Sequence, residues 1–273
     1  MAYRRVLTVQ DISCVGKCST TVALPILSAC GHETSILPTA VLSTHTGGFG
    51  TPAVHHMGEM VRAIQRHWER ENITFHAVLT GYLGSIAQIE IVSEIAESVL
   101  APGGILIVDP AMADHGKLYK GLDEAYANEM KQLCKKAHIL MPNVTEAAIL
   151  SGLPLREEME PGYVRGLLEG LECPRVVLTG VDYHPGTTGV EVYDEGHIFH
   201  YEHPRVGKNY YGTGDIFAAC FTGALLREKS LAESARIAAD FTAESIAVTY
   251  KDPSDSYGVK FEATLGHLIR ELA

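Results

Sequence analysis

Ser85-Ile86-Ala87-Gln88-Ile89-Glu90-Ile91-Val92-Ser93-Glu94-Ile95-Ala96-Glu97-Ser98-Val99-Leu100 is followed, after a short Pro-Gly-Gly connection, by Ile105-Leu106-Ile107-Val108-Asp109-Pro110. Apolar residues at Ile86, Ile89, Val92 (with Ile91 beside it), Ile95 and Val99 recur at the spacing of one helical face. Ile105–Val108 is a brief apolar run stopped by a proline, as a buried strand is. Just upstream, Ala77-Val78-Leu79-Thr80 reads as a second such strand, so the stretch is strand, helix, strand. Working outward, strands are predicted at Arg5–Gln10, Glu33–Leu37, His138–Met141 and Arg175–Thr179. Helical spacing covers Ser19–Ala29, Val54–Glu71, Leu122–Lys136 and Gly162–Leu171. Such alternation predicts βαβ units and a mostly parallel central sheet, an α/β fold. Near Gly189–Tyr201 the pattern changes: Val190, Val192 and Tyr193, then His197–Tyr201, flank Asp194-Glu195-Gly196, an antiparallel hairpin on a sheet edge. From Thr213 to Leu272 the chain reads as helical. With no linker, charge block or internal repeat, residues 1–273 are expected to form a single domain.

Composition narrows the function. Of 273 residues, 46% are hydrophobic and 20% charged, which excludes disordered and low-complexity classes. Twenty-two Lys and Arg against 33 Asp and Glu leave a net charge of −11, so no nucleic acid is expected as partner. A phosphorylated ligand would need a local site of backbone amides, a helix terminus or a metal. Met1-Ala2-Tyr3-Arg4-Arg5 leads into only a short apolar stretch, and no run approaches the ~18 apolar residues of a membrane span, so no membrane partner and a cytoplasmic location are expected. The six cysteines, Cys14, Cys18, Cys30, Cys134, Cys173 and Cys220, are scattered and read as reduced thiols. Cys14 and Cys18 lack a second pair at zinc spacing.

In parallel sheets, ligands bind beyond the carboxyl ends of the strands. Gln10-Asp11, Thr80-Gly81-Tyr82, Asp109-Pro110, Pro142-Asn143 and Thr179-Gly180 all fall there. The strongest single signal is Gly212-Thr213-Gly214-Asp215, followed by Ile216-Phe217-Ala218-Ala219. Two glycines bracket a helix start, where unpaired N–H groups and the positive dipole end favour an anion. Asp215 in the same turn is placed to accept a proton from an attacking hydroxyl. Taken alone, the turn fits a plain helix cap as well. Asn143 and Glu146, three residues apart, likewise fit a capping box.

The motifs in order resemble those of the ribokinase-like superfamily of small-molecule kinases, and within it the vitamin B6 (pyridoxal/pyridoxamine) kinases. The resemblance spans nearly the whole chain. It runs from the Val-Gln-Asp turn through Ser43-Thr44-His45-Thr46, Gly81-Tyr82-Leu83-Gly84-Ser85, Asp109-Pro110-Ala111-Met112-Ala113-Asp114 and Pro142-Asn143-Val144-Thr145-Glu146 to Gly212-Thr213-Gly214-Asp215. The last three occur across the superfamily; the His-Thr and Gly-Tyr-Leu-Gly-Ser segments point to the B6 branch. The resemblance implies a three-layer α/β/α fold with helices on both faces of the sheet. It implies Asp215 as catalytic base, Gly212, Thr213 and Gly214 as anion hole, and Asp109, Asp114, Asn143, Glu146 and Thr179 on the ATP side. Asp109 and Glu146 would attend Mg²⁺, with a monovalent cation such as K⁺ left open. Asp11, His45, Thr46 and Tyr82 would face the B6 vitamer, together with Asp215. Gly207–Tyr211 would line the adenine side, with Lys208 solvated. A homodimer is implied too.

One departure stands out: Asp11 occupies a position that is often Ser in the family. A carboxylate only accepts hydrogen bonds, from a ring hydroxyl or a protonated pyridine nitrogen, or pairs with an amine. Gly16-Lys17-Cys18-Ser19 fails the Walker A pattern, since Cys18 stands where Ser or Thr is needed. His55-His56 reads as a surface feature at a helix start. The expected activity is ATP-dependent phosphorylation of the 5′-hydroxymethyl group of pyridoxal, pyridoxine or pyridoxamine. The alternatives are a hydroxymethylpyrimidine kinase and a non-catalytic ligand-binding protein on the same fold.

Overall fold

The computed structural model describes residues 4–207, 210–252 and 257–273. Lys208 and the leading Met1-Ala2-Tyr3 lie outside the described residues. In chain order the elements are β1 (Arg5–Ser13), α1 (Thr20–Ala29), β2 (Glu33–Leu42), β3 (Val54–His56), α2 (Gly58–Arg70), β4 (Phe75–Thr80), α3 (Ile86–Val99), β5 (Leu100–Val108), β6 (Ala113–Asp114) and β7 (Lys117–Leu118). They continue with α4 (Glu124–Cys134), β8 (Ile139–Leu140), α5 (Val144–Ser151), α6 (Pro161–Gly170), β9 (Arg175–Val181), β10 (Thr187–Asp194), β11 (His197–Pro204), α7 (Thr213–Leu226), α8 (Leu231–Lys251), a 3₁₀ turn (Phe261–Ala263) and α9 (Leu265–Glu271).

Nine strands form one sheet in the order β11-β10-β9-β8-β5-β4-β1-β2-β3. The six from β9 to β2 pair in parallel; β3, β10 and β11 run antiparallel at the two edges. Side chains alternate along the central strands, and each face has its own core. Leu7, Val9, Val78, Leu106 and Val108 pack on the face covered by α2 to α6. Val6, Ala77, Leu79 and Ile107 meet α1, α7, α8 and α9 on the other. This is the expected three-layer arrangement, with the hairpin edge at β10–β11 where Asp194-Glu195-Gly196 predicts it. Among the described residues, no helix is long and apolar enough to cross a membrane.

Three local readings change. Val54–His56 is not the start of a helix: these residues pair antiparallel with Ala40–Leu42, and α2 begins only at Gly58. His55 and His56 are therefore exposed residues of an edge strand, because three consecutive ladder pairings outweigh a helical register that Gly58 would weaken. On α3, Ile86 stays 36% exposed, and the buried face takes Ile91 instead. β1 runs past Gln10 to Ser13, with an irregularity in its register against β2 between Gln10 and Ile12, so Asp11 sits within the strand. Pro38 is tolerated within β2 because β3 pairs only with Ala40–Leu42, leaving no ladder partner on that side of Pro38.

Candidate active site

The carboxyl ends of β1, β2, β4, β5, β8 and β9 and the start of α7 carry the predicted residues. Gly212 is the N-cap of α7 with φ 80, and a Cβ there would overlap the carbonyl oxygen of Lys17. Only glycine fits, on both conformational and steric grounds. At Gly214, by contrast, a Cβ would meet nothing within 4 Å, so this side of the turn is open. Thr213 turns its hydroxyl back to the Tyr210 carbonyl, 3.4 Å away.

Asp215 follows, half-buried in the first turn of α7. Burial, together with the neighbouring Asp11 charge, pushes its carboxyl up to about 7. Two sets of groups flank it. On one side Asp11 is near enough to influence Asp215, Tyr82, Cys18 and His45 electrostatically. On the other, Asp109 feels the charges of Glu146 and Asp215.

Asp11 is 3% exposed. Ser19 Oγ donates to its Oδ1 at 2.6 Å and Ser13 Oγ to its Oδ2 at 3.0 Å. Sequence reading missed both serines, although Ser13 lies two residues along the same strand. Burial raises the Asp11 carboxyl against these hydrogen bonds. His45 is buried; its Nδ1 accepts from the Gly47 N–H at 3.1 Å, which puts the proton on Nε2, 3.2 Å from the Tyr257 carbonyl oxygen. Burial lowers its pKa, so the ring is neutral. Phe49 lies edge-on to His45 at 4.9 Å, Tyr211 is tilted at 5.4 Å, and Tyr257 stacks on Phe49 at 5.4 Å. This aromatic cluster joins three distant segments, which no local pattern signals. Thr46 is exposed beside it and Tyr82 is half-buried.

On the opposite side, Asn143 and Glu146 form the full capping box. Asn143 Oδ1 accepts from Glu146 N and Glu146 Oε2 accepts from Asn143 N, each at 2.9 Å. Glu146 Oε1 also accepts from Met112 N at 2.8 Å and Ala113 N at 3.3 Å, and Asn143 Nδ2 donates to the Ala113 carbonyl at 2.8 Å. The cap is thus also the clamp that holds the segment after Asp109 against α5. Asp109 Oδ1 accepts from Ala111 N at 3.1 Å. Burial raises both acids, Asp109 well above the ordinary range, with Glu146 and Asp215 adding to the shift of Asp109. Asp114 is exposed on β6 and accepts from His115 N at 2.8 Å. Thr179 N and Oγ1 both point at the Pro142 carbonyl, at 3.0 and 3.4 Å, tying β9 to the Asn143 turn. Lys17 pairs with Glu262 at 2.9 Å, in line with the failed Walker pattern.

Among the described residues, no three His, Cys, Asp or Glu side chains gather as a ligand set. Their ion pairs also leave Asp109, Glu146 and Asp215 without a Lys or Arg partner. Asp109, half-buried, and Glu146, buried with both carboxylate oxygens already accepting backbone N–H groups, are hard-oxygen acids without a basic partner, a set that suits Mg²⁺, which keeps most of its waters and takes one or two carboxylates.

The model of the phosphomethylpyrimidine kinase family matches residues 27–258. The chain belongs to this family. Its relatives include the pyridoxine/pyridoxal/pyridoxamine kinase of Bordetella avium, 30% identical over 265 residues, covering 89% of this chain and 85% of that one. Among solved structures, pyridoxal kinase from Lactobacillus plantarum superposes with TM-score 0.91 at 32% identity, covering 99% of this chain and 98% of the other. A Bacteroides thetaiotaomicron protein crystallised with pyridoxal gives TM-score 0.93 at 31% identity over 98% and 96% of the two chains. Both solved structures thus share the fold over nearly the whole chain.

Proposed function

We propose that the chain is an ATP-dependent kinase that phosphorylates the 5′-hydroxymethyl group of pyridoxal, pyridoxine or pyridoxamine. One observation carries the reading: Asp215, its carboxyl raised to about 7, lies between the Asp11–His45–Tyr82 side and the Asp109–Glu146 side, directly after the Gly212–Gly214 turn that opens α7. The vitamer occupies the first side, where Asp11, His45, Thr46 and Tyr82 surround its ring. ATP occupies the second, beside Asp109, Asp114, Asn143, Glu146 and Thr179. The substrate oxygen attacks the γ-phosphorus, a new P–O bond forms, the bond to the β-phosphate oxygen breaks, and ADP leaves. Asp215 takes the hydroxyl proton. The amides of Gly212–Gly214 hold the charge on the equatorial oxygens, so catalysis is mainly positioning and electrostatics. Mg²⁺, attended by Asp109 and Glu146, would supply further charge neutralisation at the phosphates.

The similarity to pyridoxal kinases supports the vitamer, and the six free thiols suit a cytoplasmic enzyme. We read residues 1–273 as one kinase domain working as a homodimer, which sedimentation analysis tests. The description of the family model favours a second reading, a hydroxymethylpyrimidine kinase. A turnover panel of pyridoxal, pyridoxine, pyridoxamine and hydroxymethylpyrimidine with ATP decides between them. Highest kcat/KM on a B6 vitamer is expected; preference for hydroxymethylpyrimidine selects the second reading, and absence of turnover on all four points to a binding protein.

A further inference from the structure

We propose that Tyr211 is a positioning residue that sets the gap between the two halves of the site: its ring, seated on the bare peptides of Gly47 and Gly48, clamps the loop carrying His45 and Thr46 to the glycine turn that opens α7. The proposal rests on the reading of that loop as the vitamer side.

Gly47 has none of the left-handed torsion that calls for glycine, yet a Cβ there would overlap Cε1, Cδ1 and Cζ of the Tyr211 ring. The ring, and not the backbone, is what excludes a side chain at this position. Gly48 continues the seat: with φ 76, its Cβ would stand 3.3 Å from Cε2 of the same ring. The ring thus lies against two consecutive peptide units at the close range that only glycine allows. Tyr211 is 52% exposed, so core packing does not account for this contact. Both ends of the clamp are anchored. At one end Tyr211 runs directly into Gly212, the N-cap of α7, which is seated on the Lys17 carbonyl. At the other, Gly47 N donates to His45 Nδ1 at 3.1 Å. His45 is held in turn by the Tyr257 carbonyl, 3.2 Å from Nε2, and by Gly16, where a Cβ would overlap the imidazole. A shift of the Gly47 peptide is therefore passed to His45, whose ring lies 5.4 Å from that of Tyr211. Transfer needs the substrate oxygen and the phosphorus within about 3–3.5 Å, and a misplacement of about 1 Å can cost about 10²-fold. A ring that fixes the spacing between the vitamer loop and the glycine turn acts directly on that distance.

The experiment is a double-mutant cycle of Gly47→Ala and Tyr211→Ala, with kcat, KM for pyridoxal, KM for ATP and melting temperature measured on each protein. Tyr211→Ala should lower kcat/KM for pyridoxal about 10-fold, with KM for ATP within about twofold, and Tyr211→Phe, which keeps the ring, should retain wild-type values. Gly47→Ala should cost about as much, because its methyl group displaces the ring. In the Tyr211→Ala background that methyl group enters vacated space, so Gly47→Ala should cost at most about twofold more. Wild-type kinetics in either single variant, or two full and independent losses in the double variant, overturn the proposal while leaving the functional reading intact. A KM for ATP that rises in step with that for pyridoxal also overturns it, since general loosening of the fold moves both. A wild-type enzyme that turns over no B6 vitamer sinks the functional reading, and the positioning role with it. Should Tyr211→Ala not fold, Tyr211→Leu takes its place in the cycle, with a smaller loss and a partial rescue of Gly47→Ala expected.

Discussion

Gly212 lies so close to the carbonyl of Lys17 that no Cβ fits between them. The glycine turn at the start of α7 is thereby seated on the backbone of the turn that leads into α1, and its shape depends on that contact. Gly212→Ala must therefore move the turn. With φ 80 adding about 1–2 kcal/mol of left-handed strain, a lowered melting temperature and loss of turnover are expected together. Gly214→Ala is the contrast, since its methyl group enters open space. Its melting temperature should match wild type, while kcat should fall if the phosphoryl group approaches this open side as proposed. Thermal melts beside kinetics separate the two glycines.

Asp215→Asn should lower kcat by about 10²–10⁴, the usual scale for a lost general base, with little change in KM for ATP. A stopped assay with long incubation reads the residual rate.

The same carboxyl makes a pH prediction. With its folded pKa raised to about 7, kcat/KM should rise with pH through neutrality as Asp215 ionises. The stability effect has the opposite sign. Between the ordinary carboxylate range and pH 7 the folded state binds more protons than the unfolded one, so this group lowers stability as pH rises. Asp215→Asn should therefore melt a few degrees above wild type at pH 8, and the gap should close toward pH 4. An unchanged gap across that range contradicts the assignment.

Activity should require a divalent cation, because Asp109 and Glu146 interact beyond neighbouring strand ends with no basic partner and no all-protein cage is present among the described residues. Turnover should vanish after chelation and return with added Mg²⁺; full turnover in the chelated enzyme counts against the acid pair as a metal-attending site.

Asp11→Ser leaves Ser13 and Ser19 without their carboxylate acceptor. A lower melting temperature is expected from the orphaned hydroxyls. If the carboxylate also reads the vitamer, the ranking of pyridoxal, pyridoxine and pyridoxamine by kcat/KM should change. A uniform loss across all three confines Asp11 to holding the turn.

The alternation of strands and helices was legible because buried parallel strands are short apolar runs closed by Pro or Gly, as at Ile105–Pro110. The capping box of Asn143 and Glu146 was legible because three-residue spacing is local. Val54–His56 was not, since an edge strand of three residues has no period of its own and exists only through Ala40–Leu42. Ser13, Ser19 and the cluster of His45, Phe49, Tyr211 and Tyr257 were missed for a related reason. Their meaning lies in partners far along the chain, which neither spacing nor propensity encodes.

The seating of Gly212 on Lys17 also bears on how the protein is made. Asp11 and the turn at Gly16–Ser19 emerge early from the ribosome; Asp215 follows some two hundred residues later, and Tyr257 and Glu262, which bind the Lys17 segment, later still. A nascent chain that has completed the parallel strands up to β9 holds the acids Asp109 and Glu146 but has no Asp215 beside them. Competence should thus be switched on near the end of translation, when α7 docks on α1, so that a half-made chain cannot spend ATP.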